Sequence, residues 1–294
     1  MKAPSIRKKI IWSLVAAGSL TVALYGFACI YVWMNQTRFI FTPQREITQT
    51  PADIDLVFED VYLPVAAANG DGIEHMHCWW IPNDDPTGRY LIYLHGSAFN
   101  IGANVNHARR FRNLGFSVLL ISYRGYGESE GKFPTEAQVY ADAEAAWNYL
   151  VTQKGIHPGD IFIYGHSLGG AVAINLAVWH PDAGGLILEG AFTSITDMGR
   201  QHPYYRFLPI DLITHQRFDS ISKITRLKIP VLILHGTDDK VVPFKMSRRL
   251  YEKAPSPKKF KLILGGGHNN SARVGGEEYL KTIREFIKLV NGEV

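Results

Sequence analysis

The stretch Ile161-Phe162-Ile163-Tyr164-Gly165-His166-Ser167-Leu168-Gly169-Gly170 sets the reading of the whole chain. Ile161–Tyr164 is continuously apolar, as a strand buried on both faces tends to be. An Ala-rich apolar segment follows Gly170 and ends near His180-Pro181, which predicts a helix starting right after Ser167. The serine therefore stands where a strand turns sharply into a helix, the context that the pattern G-x-S-x-G requires. Glycine at 165 and 169 keeps side chains out of the space between strand and helix. Such a turn lifts a hydroxyl above the sheet and aims the helix N-terminus, with the Leu168 amide, at whatever sits there.

Working outward, short apolar runs alternate with helical stretches. Leu56–Leu63 and Met76–Ile81 read as early strands, possible antiparallel partners. Tyr90–Leu94, Ser117–Ser122, Gly185–Leu188, Pro230–Leu234 and Phe260–Leu264 read as buried strands. Thr135 with Gln138 three residues on is a capping box opening a helix, and a last helix is expected from about Gly276 to Val290. Together these predict an α/β fold, a mostly parallel eight-stranded sheet with helices on both faces. Thr193–Lys228 is long and aromatic, and reads either as a small lid or as an ordinary excursion of two helices.

An unactivated serine is a poor nucleophile and needs a histidine base with an acid to orient it. After the elbow the expected order is serine, acid, histidine. His235-Gly236-Thr237-Asp238-Asp239 leaves the strand at Pro230–Leu234, and Gly265-Gly266-Gly267-His268 leaves the strand at Phe260–Leu264. Both loops fall at C-terminal strand ends, on the same edge as the elbow. The candidate base is His268; Asp238, Asp239, and Glu189 at another strand end, are candidate acids. The loop His95-Gly96-Ser97-Ala98 after Tyr90–Leu94 should supply the second oxyanion amide beside Leu168, from Ser97 or else Ala98.

These motifs, with Arg38-Phe39-Ile40-Phe41-Thr42-Pro43 and Tyr123-Arg124-Gly125-Tyr126-Gly127-Glu128-Ser129, resemble the α/β-hydrolase superfamily from about Arg38 to the C-terminus. The likeness is to its serine-aminopeptidase-like, monoacylglycerol-lipase-like core, and within that to membrane-anchored α/β-hydrolase-domain proteins. It implies hydrolysis of esters, thioesters, lipids or peptides with no metal or organic cofactor. The family pattern places the acid three positions after the loop glycine, which selects Asp239. Related members often carry H-G-N-A-G where this chain has His95-Gly96-Ser97-Ala98-Phe99, so Phe99 is expected to narrow the acyl or leaving-group pocket.

The chain of 294 residues is 46% hydrophobic and 20% charged, which fits a filled core and excludes disorder. Its net charge of +4 sits in the tail: residues 1–44 carry Lys2, Arg7, Lys8, Lys9 and Arg38 and no acid, leaving 26 bases against 27 acids elsewhere. No basic surface suited to a nucleic acid remains. Ile10–Trp33 is uncharged and, as a helix, about 36 Å long, enough to span a bilayer core of about 30 Å. The expected organisation is a basic tail 1–9, a transmembrane helix 10–33 and a hydrolase domain 38–294 containing the 193–228 segment. Ala16-Ala17-Gly18 offers a signal-peptide cleavage site, but the apolar run before it is short and continues well beyond. Arg7, Lys8 and Lys9 predict a cytoplasmic N-terminus and a catalytic domain on the non-cytoplasmic side; Arg38 opposes this weakly.

Other residues carry blander readings. His166 is expected to point the other way along the elbow as a packing or hydrogen-bonding residue, and His95 and His235 to orient loops. His75 and His77 share a strand face but lack a third ligand, so they read as a structural pair. Tyr123–Gly127 has no P-loop lysine and reads as a turn buttressing the elbow. Lys258, Lys259 and Lys261 read as a solvated strand edge, and Cys29 and Cys78 lie too far apart in kind of segment to pair. The expected function is a membrane-anchored serine hydrolase forming an acyl-enzyme, acting on an acyl ester, lipid or thioester. A peptidase of the same fold, or a non-catalytic membrane-tethered binding protein, is the rival.

Overall fold

The computed structural model describes residues 5–67, 70, 72–84 and 88–293; Lys2 of the basic tail lies outside them. Eight strands form one sheet: β1 (Glu59–Ala66), β2 (Ile73–Ile81), β3 (Arg89–Leu94), β4 (Phe116–Ile121), β5 (Ile161–His166), β6 (Gly185–Glu189), β7 (Val231–Gly236) and β8 (Lys258–Ile263). Their spatial order is β1-β2-β4-β3-β5-β6-β7-β8. β2 runs antiparallel to both its neighbours, and the other pairings are parallel. Each strand expected from the sequence is present, its ends shifted by no more than a few residues.

Side chains alternate across the sheet because successive Cβ atoms point to opposite faces. On β3, Ile92 and Leu94 enter one core while Leu91 and Tyr93 enter the other; on β5, Ile161 and Ile163 separate from Phe162 and Tyr164 in the same way. The longer helices are α1 (Ile6–Met34), α2 (Val105–Asn113), α3 (Glu136–Asn148), α4 (Leu168–Trp179), α5 (Ile195–Gln201), α6 (Phe244–Lys253) and α7 (Ser271–Val290). Residues of α3, α4 and α6 share the first core; residues of α2 and α7 share the second. Covering both faces is what lets the inner strands, such as Phe116–Ile121 and Gly185–Glu189, be buried along their whole length.

Local chemistry fixes the ends. The capping box opens α3: the Thr135 amide donates to Gln138 Oε1 at 2.8 Å, and the Gln138 amide donates to Thr135 Oγ1 at 3.3 Å. α7 starts earlier than the sequence suggested. Ser271 begins it, and Gly276, with φ 49 and ψ −128, breaks it after the first turn instead of starting it. On the edge strand β8, Lys258 donates to the Tyr251 and Ala254 carbonyls, while Lys259 and Lys261 pair with Glu285 and Glu278 of α7. Charge on an edge strand hinders pairing with another chain.

α1 is one continuous helix of 29 residues, none of them buried, and is long and apolar enough to cross a membrane. A short helix, Gln36–Ile40, turns the chain toward the domain. Residues 193–228 form a string of short helical turns, not a helix pair: α5, Tyr205–Phe207, Ile210–Ile213, Ser220–Lys223 and Ile224–Arg226. This cap segment lies against the end of α1. Gln36 Nε2 donates to the Ile213 carbonyl at 2.5 Å, and Gln36 Oε1 accepts from the His215 and Gln216 amides at 3.0 Å each.

The turn after β4 contains a buried ion pair. Arg124 Nη2 and Nε reach Asp142 Oδ1 on α3 at 2.6 and 3.0 Å, and the Arg124 amide donates to Asp142 Oδ2 at 3.1 Å. Removing one member of such a pair strands a charge in the core and costs about 3–5 kcal/mol. Arg124→Ala should lower stability by that order in denaturant unfolding. The double replacement Arg124→Met with Asp142→Leu should recover part of the loss: neither core charge is then stranded, although Glu74, which Arg124 Nη1 also reaches at 3.4 Å, loses its partner.

Candidate active site

The parallel strands deliver their C-terminal ends to one edge, and four loops converge there. β5 is followed directly by Ser167, whose φ of 55 and ψ of −119 place a non-glycine residue in a strained backbone region. The glycines flanking it leave no alternative. A Cβ at Gly165 would lie 2.3 Å from the Gly169 carbonyl oxygen, and one at Gly169 would lie 2.1 Å from the Leu94 carbonyl oxygen. Strand, turn and helix are in contact at both positions, as the sequence pattern implied.

Three side chains distant in sequence meet at this turn. Ser167 Oγ lies 2.9 Å from His268 Nε2, and His268 Nδ1 lies 2.7 Å from Asp239 Oδ2. Asp239 is buried at its carboxyl and braced on several sides. Its Oδ1 accepts from the Val241 and Val242 amides at 2.8 Å each, and Oδ2 also lies 3.1 Å from Nε2 of His235. Burial alone would raise this carboxyl, but hydrogen bonds from His235 and His268, attraction to the His268 ring in its protonated form and the Val242 amide together hold it well below the usual carboxylate range. An ionised Asp239 accepting from Nδ1–H leaves Nε2 free to accept the Ser167 proton.

The other acids lie elsewhere. Asp238 is exposed and accepts from Thr237 Oγ1 at 3.1 Å. Glu189 is buried and accepts from the hydroxyls of Tyr164 and Tyr279 at 2.8 and 2.5 Å.

The loop after β3 packs against the elbow: a Cβ at Gly96 would lie 3.4 Å from Ser167 Cβ. Ser97 lines the same cavity as Ser167 and Leu168. The Leu168 amide, at the first position of α4, is one of the donors a helix leaves without an intrahelical acceptor. Ser97 is held through its carbonyl, which accepts from the Thr42 amide at 2.9 Å and from the Tyr126 hydroxyl at 2.5 Å. The Tyr123–Gly127 turn thus buttresses the loop bearing Ser97, and reaches the elbow through it.

Two residues act differently from the sequence reading or were not found by it. His166 does not point away from the site. Its Nε2 faces the His268 carbonyl at 2.9 Å, and the two rings lie 4.9 Å apart. Burial, reinforced by the neighbouring His268, lowers the His166 pKa, so the ring stands neutral and donates to that carbonyl. His107, on α2, lines a cavity beside Ser167, and burial pushes its pKa down to about 4. His95 and His235 behave as loop braces, the latter through Ser247 Oγ at 2.6 Å and the Val242 carbonyl at 2.8 Å. His75 and His77 face Glu130 and Asp60, and among the described residues no cluster has the make-up of a metal site.

Two cavities have Ser167 in their walls. One, of about 240 Å³, is walled mainly by residues of the 193–228 segment, by Val32 of α1 and by residues of the short helix that follows it. The other, of about 440 Å³, includes Phe99, Asn104, His107, His268 and Asn269.

A family model described as serine aminopeptidase, S33, matches residues 85–215 and 214–270. An α/β-hydrolase domain-containing protein of Arabidopsis thaliana, WAV2, is 32% identical over 297 residues, covering 92% of this chain and 94% of that protein. The chain belongs to the α/β-hydrolase superfamily. A lysophosphatidylserine lipase of Danio rerio, ABHD12, is 36% identical over 197 residues, which is 61% of this chain and 51% of the lipase. Among solved structures, an esterase of Pyrococcus furiosus superposes with a TM-score of 0.68, 21% identical, over 85% of this chain and 97% of its own. The strand order and the loops at the sheet edge are those of an α/β-hydrolase fold, and the chain is a member of a hydrolase family.

Proposed function

We propose that the chain is a membrane-anchored serine hydrolase that cleaves carboxylic ester, lipid or thioester bonds through an acyl-enzyme on Ser167. The observation that carries this reading is the continuous line from Asp239 Oδ2 to His268 to Ser167 Oγ, at 2.7 and 2.9 Å. His268 Nε2 takes the proton as Oγ attacks the carbonyl carbon. The Ser97 and Leu168 amides receive the oxyanion of the tetrahedral intermediate. His268 then returns the proton to the leaving oxygen or sulfur as that bond breaks, giving the acyl-enzyme. A water molecule repeats the sequence to release the acid and restore Oγ–H. Each oxyanion donor is worth on the order of 3 kcal/mol of barrier.

The length and composition of α1 support the anchor, and Arg7, Lys8 and Lys9 support a cytoplasmic N-terminus with the catalytic domain on the other side. The description of the matching family model favours a second reading, a peptidase. An aminopeptidase must hold a free amino group, for which a carboxylate is the natural partner. Among the described residues, neither cavity beside Ser167 has an aspartate or glutamate in its wall. That supports an acyl ester over an aminoacyl substrate.

A fluorophosphonate probe should label the full-length protein and not its Ser167→Ala variant; no labelling where a control esterase reacts would count against the assignment. Asp239→Asn should lower kcat by about 10⁴-fold, because it removes the acceptor that fixes the His268 tautomer. Asp238→Asn should leave kcat within a few-fold of the parent. Steady-state hydrolysis of a p-nitrophenyl ester checks both, and a larger loss in the Asp238 variant would reassign the acid.

A further inference from the structure

The apolar cavity runs from Ser167 to the membrane-proximal end of the chain. Its inner wall holds Ser97, Ser167 and Leu168, and its outer wall holds Val32 of α1 with Gln36, Phe39 and Ile40 of the short helix that follows. The remaining wall is cap: Ile195, Met198, Tyr205 and Ile210 among others. Anchor and cap are joined around this opening by the Gln36 hydrogen bonds, by the edge contact of Phe39 with Tyr205 at 6.0 Å, and by that of Trp33 with His215 at 5.8 Å.

The cap also extends down the anchor. The Tyr25 hydroxyl donates to the Phe207 carbonyl at 3.0 Å. Tyr25 lies eight residues before Trp33 in α1, about 12 Å along the helix axis. Tyr204, Phe207 and Leu212 of the cap are exposed by 78, 66 and 86%. These bare apolar side chains, with the Arg206 guanidinium 4.9 Å from the Phe207 ring, make an amphipathic edge beside α1 of the kind that suits a bilayer surface.

The second cavity differs in character. It shares Ser97, Ser167 and Val241 with the first, so the two meet at the nucleophile. Its wall carries His107, Asn104 and Asn269, side chains able to hydrogen-bond a polar group.

We infer that the anchor is part of the substrate site: the substrate is a bilayer-resident acyl lipid, whose chain enters sideways from the leaflet between α1 and the cap, while its polar leaving group occupies the cavity at His107. This rests on Ser167 being the acylated nucleophile and on α1 spanning the membrane. The scissile carbonyl then sits where the two cavities meet, and the chain never crosses water on its way from bilayer to serine.

The test uses the full-length protein in phosphatidylcholine vesicles and a long-chain alkyl fluorophosphonate carrying a terminal diazirine. Ser167 Oγ bonds to phosphorus as fluoride leaves, and irradiation then marks whatever the chain end touches. Cross-links that include residues 32–40 are expected; cross-links confined to other segments, such as 99–107, overturn the inference while leaving the serine hydrolase intact. No labelling at all removes the hydrolase reading and this inference with it. A second arm uses p-nitrophenyl esters of increasing chain length. In the parent, kcat/KM should rise by up to about fourfold for each methylene that enters the cavity. Val32→Trp, shown to be folded by fluorophosphonate labelling, should end that rise at a shorter chain, and Leu20→Trp on the exposed part of the same helix should not. An unchanged series in labelled Val32→Trp overturns the inference.

Discussion

Ser167 occupies a backbone conformation, φ 55 and ψ −119, that costs an L-residue on the order of 1–3 kcal/mol. The surroundings maintain it. Gly165 and Gly169 bring β5, α4 and the end of β3 within backbone contact, and the Ser167 amide donates to the Glu189 carbonyl at 2.9 Å on β6. Apolar strands covered on both faces make this edge rigid. A hydroxyl raised on such a turn is kept at a fixed height above the sheet, and every other feature of the site is positioned relative to it.

The histidine and the acid reach that hydroxyl from separate loops, so each loop needs its own fixation. Asp239 is held by two backbone amides and by His235, which is itself bound to Ser247, whose hydroxyl donates to the Ala191 carbonyl at 2.8 Å. His268 is held at its ring by Asp239 and at its carbonyl by His166. The Ser97 loop is held by Thr42 and Tyr126. Little in this arrangement has to reorganise when charge develops at the serine, which is the condition under which fixed dipoles lower a barrier most effectively.

Much of this was legible in the sequence, and the parts that were not share a cause. Continuous apolar runs identify the inner strands β3 to β7 because burial on both faces leaves little room for polar residues, the edge strands β1 and β8 being mixed and more exposed, and the strand-turn-helix context singles out Ser167. Chain order and strand-end placement pick out His268, whereas choosing Asp239 over Asp238 required the family pattern. The ladder pairing Thr42 with Ala98 and Pro43 with Phe99 was missed because two residues carry no periodicity. Gln36 reads as an unremarkable polar residue at the end of an apolar helix, since its partners lie in the distant 213–216 segment. His166 was misdirected for a similar reason: its partner is a backbone carbonyl in a loop whose path no local pattern specifies.

The contacts from Gln36, Thr42 and Phe39 tie the segment after α1 both to the 193–228 segment and to the loop bearing Ser97, so the proposed anchor and the proposed reaction centre share walls. All of it presupposes that Ser167 and His268 act as a unit. The most direct measurement is kcat of the Ser167→Ala and His268→Ala single variants and of the double variant, on one ester under one set of conditions. Residues that work through a shared proton transfer are strongly non-additive. The double variant should therefore lose no more activity than the more damaging single change. Losses that multiply would contradict a coupled pair and separate the hydroxyl from the imidazole in function.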